Sequence, residues 1–226
     1  MKTKIVFPFI FGMALLAVWF WMQPGSLSPR AVGLLSIAHN TDQLILVGGI
    51  GGSDALLSFY EKQDGVWKEI FTTKAYVGKN GLGKTREGDL KTPVGVYYFT
   101  KAFGIAPDPG CMIPYTKVNE SHYWVGDSRS PLYNTFVSAG DAVLFDRKES
   151  EHIIDYTKPY QYCLNINYNE EGKAKDGSAI FLHCFSNKKY TGGCIAISAA
   201  KMQELLCHIK EDCKIGIAPI RDLSSL

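Results

Sequence analysis

The sequence has no long run of like charges. Its 226 residues carry 24 Lys and Arg against 22 Asp and Glu, which gives a net charge of +2. Proteins that bind nucleic acids usually concentrate basic residues in a patch or a tail. We therefore expect no nucleic-acid partner, and charge alone identifies no other partner.

The sequence also lacks the paired spacings that are typical of a metal site. His183, Cys184 and Cys194 are residue types that bind metals, but the chain contains no C-x-x-C and no H-x-x-x-H pair. Zinc sites usually draw their ligands from such pairs. We therefore predict no metal ion.

Internal repeats and low-complexity tracts are missing as well, whereas 46% of the residues are apolar. A chain of this length and composition can bury one sizeable core. We expect a single folded domain over residues 31–226. It follows an N-terminal segment, residues 1–30, of different composition.

The N-terminal segment combines two lysines with an uncharged apolar run. Lys2 and Lys4 precede residues 5–22, which suit a short membrane-spanning helix or the apolar part of a secretory signal. The lysines on the amino side predict that the rest of the chain lies outside the cytoplasmic membrane, in the cell envelope. We favour an uncleaved anchor over a secreted protein, because residues 24–26 (PGS) offer only a weak cleavage site. A buried core helix is the least favoured alternative.

Six cysteines in such a compartment can form disulfides. If Cys194 stays free, however, the other five cannot all pair within one chain. Cys207 and Cys213 can reach each other only if the helix predicted around them ends first, since six helical residues rise about 9 Å. For Cys111, Cys163 and Cys207 we expect burial as small apolar side chains.

The remaining pattern is mostly β. Short apolar runs bounded by glycines or turn residues predict strands, and Asp64-Gly65 predicts a tight hairpin turn. Helical spacing behind Ser198 as an N-cap predicts a helix over residues 199–212. Residues 104–140 show little periodicity and are interpreted as a long, ordered loop. The predicted strands cover residues 43–49, 55–62, 66–78, 96–103, 160–169, 178–185, 194–198 and 214–220.

A histidine and a cysteine stand close together in residues 179–198 (AIFLHCFSNKKYTGGCIAIS). If residues 178–185 and 194–198 form neighbouring strands, His183 and Cys194 can face each other across the ladder. A free thiol has a pKa of about 8.5 and needs a base to become nucleophilic at neutral pH. His183 is the candidate for that base.

Two glycines precede the cysteine and favour catalysis. Gly192 and Gly193 allow a substrate carbonyl to approach the backbone closely, and the N–H groups around Gly193 and Cys194 can stabilise an oxyanion. The natural reaction is then acyl transfer through a thioester. Cys184 should point away from His183, because neighbouring residues of a strand face opposite sides. From the spacing alone, a purely structural role of His183 and Cys194 stays possible as an alternative to catalysis.

These residues resemble the signature of the L,D-transpeptidase (YkuD-type) catalytic domain. In that family a histidine is followed by a Ser/Thr-x-Gly-Cys segment, as His183 is followed by residues 190–195 (YTGGCI). Residues 88–95 (GDLKTPVG) resemble the family's Thr-Pro-x-Gly stretch, and the matches together span about residues 40 to 220. Many members have histidine where Gly192 stands, and Arg or Asn where this chain has Ala196.

The resemblance implies a mostly β, β-sandwich-like catalytic domain with one or a few short helices, preceded by the N-terminal apolar helix. It implies a peptidoglycan L,D-transpeptidase that contributes to the cell wall and cell shape and needs no metal or organic cofactor. Cys194 would attack the carbonyl of the third stem residue, and an amine of a second stem peptide would resolve the thioester into a 3→3 cross-link. His183 would transfer the proton in both steps.

Further residues are candidates for contacting the stem peptide. Glu151, His152, Tyr133 and Asn134 offer polar groups, although ordinary surface or hydrogen-bonding roles stay open for them. Trp124 forms either a wall of the cleft or a roof over the core.

Two residues of the motif itself, Tyr190 and Thr191, are also expected beside the substrate. The basic residues Lys79, Lys84 and Arg86 are interpreted as a solvated loop face.

Two alternatives to the transpeptidase stay open. An L,D-carboxypeptidase forms the same thioester and passes the acyl group to water, and the sequence does not separate the two. A non-catalytic wall-binding protein on the same fold predicts an unreactive Cys194. A papain-like peptidase is disfavoured because it places its cysteine at a helix start and before its histidine. The oligomeric state and any disulfides are not predicted.

Overall fold

The computed structural model describes residues 26–138 and 144–226. The predicted N-terminal apolar helix and its cleavage site lie almost entirely outside these residues. Within the described ranges, none of the helices has the length and the apolar composition that crossing a membrane requires.

The described residues are mostly β, as the sequence predicts, with two short α-helices and five short 3-10 helices. The α-helices are α1 (Pro29–Val32) and α2 (Ala199–Leu206). The 3-10 helices cover Ser36–Asn40, Arg147–Glu149, Ile153–Asp155, Pro159–Gln161 and Ile220–Ser225. The strands are β1 (Gln43–Gly51), β2 (Asp54–Gln63), β3 (Val66–Tyr76), β4 (Gly95–Gly104), β5 (Tyr115–Lys117), β6 (His122–Trp124), β7 (Phe136–Ser138), β8 (Glu151–His152), β9 (Cys163–Ile166), β10 (Phe181–Cys184), β11 (Ile195–Ile197) and β12 (Lys214–Pro219).

The main sheet curls until its ends meet. Its strands follow the order β12-β1-β2-β3-β11-β10-β9-β4-β5, and β12 also pairs with β4. Most pairs are antiparallel, but β1 with β12, β10 with β11, and β4 with β5 are parallel. Both layers of the predicted sandwich are therefore parts of one curled sheet. The enclosed space holds the main apolar core.

The hairpin predicted at Asp64-Gly65 is present between β2 and β3. Both turn residues have positive φ, 52° and 77°, as a two-residue type I′ turn requires. The strands on either side pair from Gln63 and Val66 back to Asp54 and Tyr76. The Asp-Gly turn in the sequence therefore predicted the pairing of β2 and β3 correctly.

Helix α2 is shorter than predicted. Ser198 caps it by accepting a hydrogen bond from the Lys201 N–H at 3.3 Å, as expected, but the helix ends at Leu206 rather than at residue 212. The following segment turns towards β1, where the Thr41 hydroxyl donates to the Asp212 carbonyl at 2.8 Å. These tertiary contacts override the helical spacing. Met202, Leu205, Leu206 and Ile209 still lie in the core.

All six cysteines lie in the described ranges, and all six are free. The helix does end before Cys207, but Cys207 and Cys213 are not bonded to each other. Cys163 is buried as predicted, whereas Cys111 and Cys207 are only partly buried. Full burial was therefore wrong for those two.

The stretch interpreted as one long loop contains regular structure. It forms β5 on the edge of the main sheet and contributes β6 and β7 to a small sheet of order β7-β6-β8. An aromatic cluster fastens this small sheet to the main one, with the rings of Trp124 and Phe181 4.8 Å apart. The small sheet therefore stands beside the site face of β10, on which Phe181 and His183 lie.

Candidate active site

Cys194 and His183 are brought together by the parallel pairing of β10 and β11. The register matches Leu182 with Ile195 and His183 with Ala196, and Cys194 immediately precedes β11. Directly opposed positions, as expected for the two residues, were therefore wrong. Because side chains alternate along a strand, Cys194 and Ala196 share the face on which His183 lies. Cys194 and His183 line one cavity of about 930 Å³.

The His183 ring is oriented by a backbone carbonyl. Its Nδ1 donates to the Cys184 carbonyl oxygen at 2.7 Å, and its ring meets the edge of the Tyr160 ring at 5.5 Å. Since a carbonyl only accepts, Nδ1 carries the proton and Nε2 keeps its lone pair. Burial lowers the pKa of His183 to about 4. The ring is therefore neutral at pH 7 and can accept a proton on Nε2.

The Cys194 thiol is held in its neutral form. Its Sγ donates to the Ala179 carbonyl oxygen at 3.1 Å and accepts from the Phe181 N–H at 3.4 Å. Burial, and to a smaller extent the nearby carboxylate of Glu151, raises the pKa of Cys194 to about 12. The side chain is 8% exposed and reaches the cavity. The resting pair is thus thiol and imidazole, so proton transfer has to accompany nucleophilic attack.

Two threonines fix the backbone of Cys194. The Cys194 carbonyl oxygen accepts hydrogen bonds from Thr92 Oγ1 at 3.1 Å and from Thr191 Oγ1 at 2.6 Å. Thr92 belongs to the stretch 88–95 and Thr191 to the stretch 190–195, which are far apart in sequence. Both hydroxyls are buried. The two motifs therefore meet at one carbonyl, which explains the need for hydroxyl-bearing residues at both positions.

The two glycines before Cys194 differ in what they require. Gly193 has φ +152°, and a Cβ there would lie 2.9 Å from the Lys91 carbonyl oxygen, so a side chain is excluded. A Cβ at Gly192 would meet open space. The Gly193 N–H donates to Thr191 Oγ1 at 3.1 Å and is not free to hold an oxyanion, contrary to expectation. The N–H groups of Gly192 and Cys194 form no hydrogen bond with another described residue.

The other predicted substrate-contact residues divide into two groups. Trp124, Glu151, Tyr190 and Thr191 line the cavity with Cys194. Three residues do not line it: Tyr133, Asn134 and His152.

His152 is engaged outside the cavity. Its ring stacks on Tyr123 with centroids 4.5 Å apart, Nδ1 contacts Asp155 Oδ2 at 3.0 Å, and Nε2 contacts the Glu120 carbonyl oxygen at 2.9 Å. Both ring nitrogens are thus occupied. A direct contact of His152 with substrate stays a prediction, which its position outside the cavity lining does not favour.

Asn134 does not line the cavity, but it hydrogen-bonds to the backbone that holds Cys194. Its Oδ1 accepts from the Ala179 N–H and from Trp124 Nε1, both at 3.0 Å, and its Nδ2 donates to the carbonyl of Tyr168 at 3.0 Å. These bonds hold Ala179 at φ +54°, an uncommon conformation for a residue with a Cβ. Asn134 thereby positions the carbonyl that accepts the Cys194 thiol. Its neighbour Tyr133 does not line the cavity but donates to Glu87 Oε2 at 2.5 Å, and Glu87 does line it.

Glu151, which is half-buried, and Tyr160, which is buried, form a hydrogen-bonded pair on the cavity wall. Tyr160 Oη donates to Glu151 Oε2 at 2.6 Å. Burial raises the pKa of Glu151 to about 7. Sequence reasoning did not single out Tyr160, whose role depends on the fold bringing the 3-10 helix Pro159–Gln161 against His183.

Lys84 is the second residue that sequence reasoning missed. Its side chain is only 2% exposed, lines the cavity and pairs with Asp89 at 3.1 Å, so the predicted solvated loop face was wrong for Lys84. Burial alone would raise the pKa of Asp89, but backbone N–H donors, including those of Thr85 and Lys91, hold it at about 2. This carboxylate therefore stays ionised and keeps the Lys84 ammonium in the wall.

No group of three or more His, Cys, Asp and Glu side chains suited to a metal ion occurs within residues 26–138 and 144–226. What the site offers is a neutral thiol, an imidazole with a free nitrogen, two unoccupied N–H groups and a carboxyl group. This set can perform nucleophilic acyl transfer with proton transfer through the imidazole.

Comparison with known proteins gives one family match. Residues 52–217 match the family model described as YkuD, L,D-transpeptidase catalytic domain. No curated protein matches the chain significantly.

Among solved structures, the chain is similar to Bd1075 of Bdellovibrio bacteriovorus, with 19% identity, 79% of this chain and 48% of that chain covered, and a TM-score of 0.43. The helical cell shape determining protein Pgp2 of Campylobacter jejuni shows 19% identity, coverage of 81% and 52%, and a TM-score of 0.40. The Ldtfm–avibactam carbamoyl enzyme shows 15% identity, coverage of 79% and 49%, and a TM-score of 0.41. The chain spans about half the length of these structures.

Proposed function

Because the chain belongs to the L,D-transpeptidase catalytic domain (YkuD) family, we propose that it is a cysteine acyltransferase that forms 3→3 cross-links between peptidoglycan stem peptides. One observation carries the proposal. Cys194 lines a cavity together with His183, whose Nδ1 is tied to the Cys184 carbonyl, so that Nε2 is left to accept a proton. A nucleophile and an oriented base that share a cavity are the minimum that thioester chemistry needs.

Acylation begins when the thiol gives up its hydrogen bond to the Ala179 carbonyl. The Cys194 proton passes to His183 Nε2 while Sγ bonds to the carbonyl carbon of the third stem residue. The N–H groups of Gly192 and Cys194 are the donors available to the resulting oxyanion. The bond to the terminal D-alanine nitrogen then breaks, and the leaving amine takes the proton from His183. The thioester and free D-alanine remain.

Transfer reverses these roles. An amine of a second stem peptide attacks the thioester carbon and loses a proton to His183 as the new C–N bond forms. The C–S bond breaks, and Cys194 recovers the proton. General base and general acid action by one histidine is common in such two-step reactions.

The size of the cavity is compatible with either transfer or hydrolysis. Sites for a single drug-sized ligand are about 300–1,000 Å³, and this cavity of about 930 Å³ lies at the upper end of that range. It is large enough to take a donor stem peptide. L,D-carboxypeptidase activity, in which water resolves the same thioester, is the outcome expected if no acceptor is retained.

The proposed place of action is the cell envelope, outside the cytoplasmic membrane. Residues 5–22, behind Lys2 and Lys4, are proposed to anchor the chain, or to direct its secretion if cleaved. Peptidoglycan stem peptides lie in that compartment.

Muropeptide assays test the proposal. The protein is incubated with tetrapeptide muropeptides, and products and intact protein are followed by mass spectrometry, with Cys194→Ala as reference. Cross-linked dimers and a thioester adduct on the parent protein alone are the expected result. Tripeptide without dimers would replace the proposal with carboxypeptidase activity, and no adduct and no product would leave only a wall-binding role.

A further inference from the structure

Glu151 is a carboxyl group on the cavity wall that has no cationic partner among the described residues. Other enclosed carboxylates have one, as Asp89 does in Lys84 and Glu61 does in Lys210. Glu151 Oε2 accepts a single hydrogen bond, from Tyr160 Oη at 2.6 Å. Oε1 accepts none from a described residue, and no buried side-chain oxygen of these residues is left without a partner. Oε1 is therefore exposed, on a side chain that lines the cavity.

The position of Glu151 relates it to the reaction centre. In the small sheet Glu151 pairs in register with Trp124, which also lines the cavity. Its partner Tyr160 contacts the His183 ring at 5.5 Å. The carboxylate of Glu151 also raises the pKa of Cys194, so the two groups interact electrostatically. A negative charge here, left without a counter-ion, opposes formation of the thiolate.

An ammonium group is the ligand that stabilises the ionised form of such a carboxyl group. Isolated buried charges are costly unless they are paired and hydrogen-bonded. The lysine in the wall, Lys84, is already paired with Asp89. Of the lysines at the rim, Lys158 donates to Asn187 Oδ1 at 2.8 Å, and Lys188 lies over the Tyr190 ring. The described residues thus leave the ionised form of Glu151 without a cation, and a substrate is the remaining source of one.

We propose that Glu151 binds the ammonium group of the acceptor stem peptide, and so favours an amine over water in resolving the thioester on Cys194. The inference rests on the proposed function, because it concerns the second step of the same reaction. It makes Glu151 the residue that separates transfer from hydrolysis.

The proton balance gives Glu151 a second task. An ammonium must lose two protons before an amide forms. The first passes from the nitrogen to Glu151 Oε1, which frees the lone pair for attack on the thioester carbon. The second passes to His183 Nε2 as the C–N bond forms, and it reaches Sγ when the C–S bond breaks. Glu151 returns its proton to solvent when the cross-linked product leaves.

The test compares Glu151→Gln with a matched control, Glu171→Gln. Glutamine retains an oxygen for the Tyr160 hydrogen bond but carries no charge, and Glu171 is exposed to solvent and does not line the cavity. Tetrapeptide muropeptide is the donor. Two quantities are measured by mass spectrometry: the rate of thioester formation on Cys194, and the ratio of dimer to tripeptide. A second series replaces the acceptor by hydroxylamine, which is largely uncharged at pH 7.

We expect Glu151→Gln to form the thioester within about threefold of the parent rate. Its ratio of dimer to tripeptide should fall about 10- to 100-fold, which corresponds to the loss of one charge-assisted hydrogen bond. Capture by hydroxylamine should stay unchanged, and Glu171→Gln should match the parent in every assay.

Equal loss of dimer and hydroxamate in Glu151→Gln would overturn the inference, because a merely structural role affects both nucleophiles alike. An unchanged ratio would overturn it too. Failure of the proposed function is recognised separately, since the parent protein itself would then yield no dimers. A thermal unfolding curve of each variant checks that it is folded.

Discussion

His183 and Cys184 are adjacent on β10, yet they serve opposite sides of the strand. The core face of β10 carries Leu182 and Cys184, which lie in an apolar cluster with α2. The site face carries Phe181 and His183, beside the cavity. Because side chains alternate along a strand, the four residues of β10 place two side chains in the core on one face and two beside the site on the other.

The pKa values and the accessibility of the buried thiols extend this comparison. Burial raises the pKa of Cys184 to about 11 and that of Cys194 to about 12, and it also raises the pKa of Cys163 well above its usual range. The pKa of the resting thiol therefore does not distinguish Cys194 from Cys184 and Cys163. Access does, because Cys194 lines the cavity and the other two do not. Substitutions on the two faces should have separable consequences.

The largest expected effect is that of Cys194→Ala. Removal of the sulfur eliminates the thioester, so product formation should fall at least about 10³-fold, as expected when a nucleophile is lost. Stability should change by less than about 1 kcal/mol, because the Cys194 side chain lines the cavity rather than lying in the main apolar core. The measurement is adduct formation with tetrapeptide muropeptide, followed by intact-protein mass spectrometry.

Cys184→Ala is the matched control on the core face. It removes a buried sulfur of the same kind and should cost about 1 kcal/mol of stability, while activity stays within about twofold of the parent. If Cys184→Ala abolished the adduct and Cys194→Ala did not, the division between the two faces would be wrong.

The next largest effect is expected for His183→Gln. Without an imidazole nitrogen to accept the thiol proton, the rate of acylation should fall about 10²- to 10⁴-fold. His152→Gln serves as the comparison, because the His152 ring is engaged by Tyr123, Asp155 and Glu120 outside the cavity. Single-turnover rates should leave the His152 variant near the parent value. Comparable losses in both variants would contradict the roles inferred here.

On the core face, Leu205→Ala should affect stability alone. Leu205 of α2 is fully buried in the cluster that contains Leu182 and Cys184. Truncation of such a leucine costs about 2–5 kcal/mol, measurable by urea unfolding. The rate per folded molecule should remain that of the parent. A large rate loss at full folding would mean that the core side controls the geometry of the site.

Local patterns predicted much of the scaffold. The turn at Asp64-Gly65, the cap at Ser198 and the alternation of His183 and Cys184 depend on neighbouring residues, and all three are present. The register of β10 and β11 was not predictable in the same way. A parallel pairing is set by the path of the connection and by the sheet on either side.

The electrostatics of the cavity wall were out of reach of sequence reasoning for a similar reason. Lys84 stands in a charged, glycine-rich stretch, which is typical of a solvated loop. It is enclosed because Asp89 holds the ammonium and Gly177 packs against its side chain without a Cβ. Glu151 stood out only as one polar candidate, because its raised pKa requires the burial that the fold supplies.

The smallest expected effect concerns pH, and it compares two groups of the same cavity wall. Burial lowers the pKa of His183 from 6.5 to about 4, so between these values the unfolded chain binds more protons and stability falls as the pH falls. Burial raises the pKa of Glu151 from 4.5 to about 7, so between these values the native protein binds more protons and stability falls as the pH rises. From about pH 4.5 to 6.5 the two contributions oppose each other.

Single variants should separate these two contributions. The stability of His183→Gln relative to the parent should increase as the pH falls from 6.5 towards 4, and that of Glu151→Gln should increase as the pH rises from 4.5 towards 7. Each difference should change by at most about 1.4 kcal/mol per pH unit, the limit for one proton. Urea unfolding across this range, analysed as differences from the parent, cancels the other titrating groups. Slopes of the same sign in both variants would mean that at least one of the two groups is not enclosed as described.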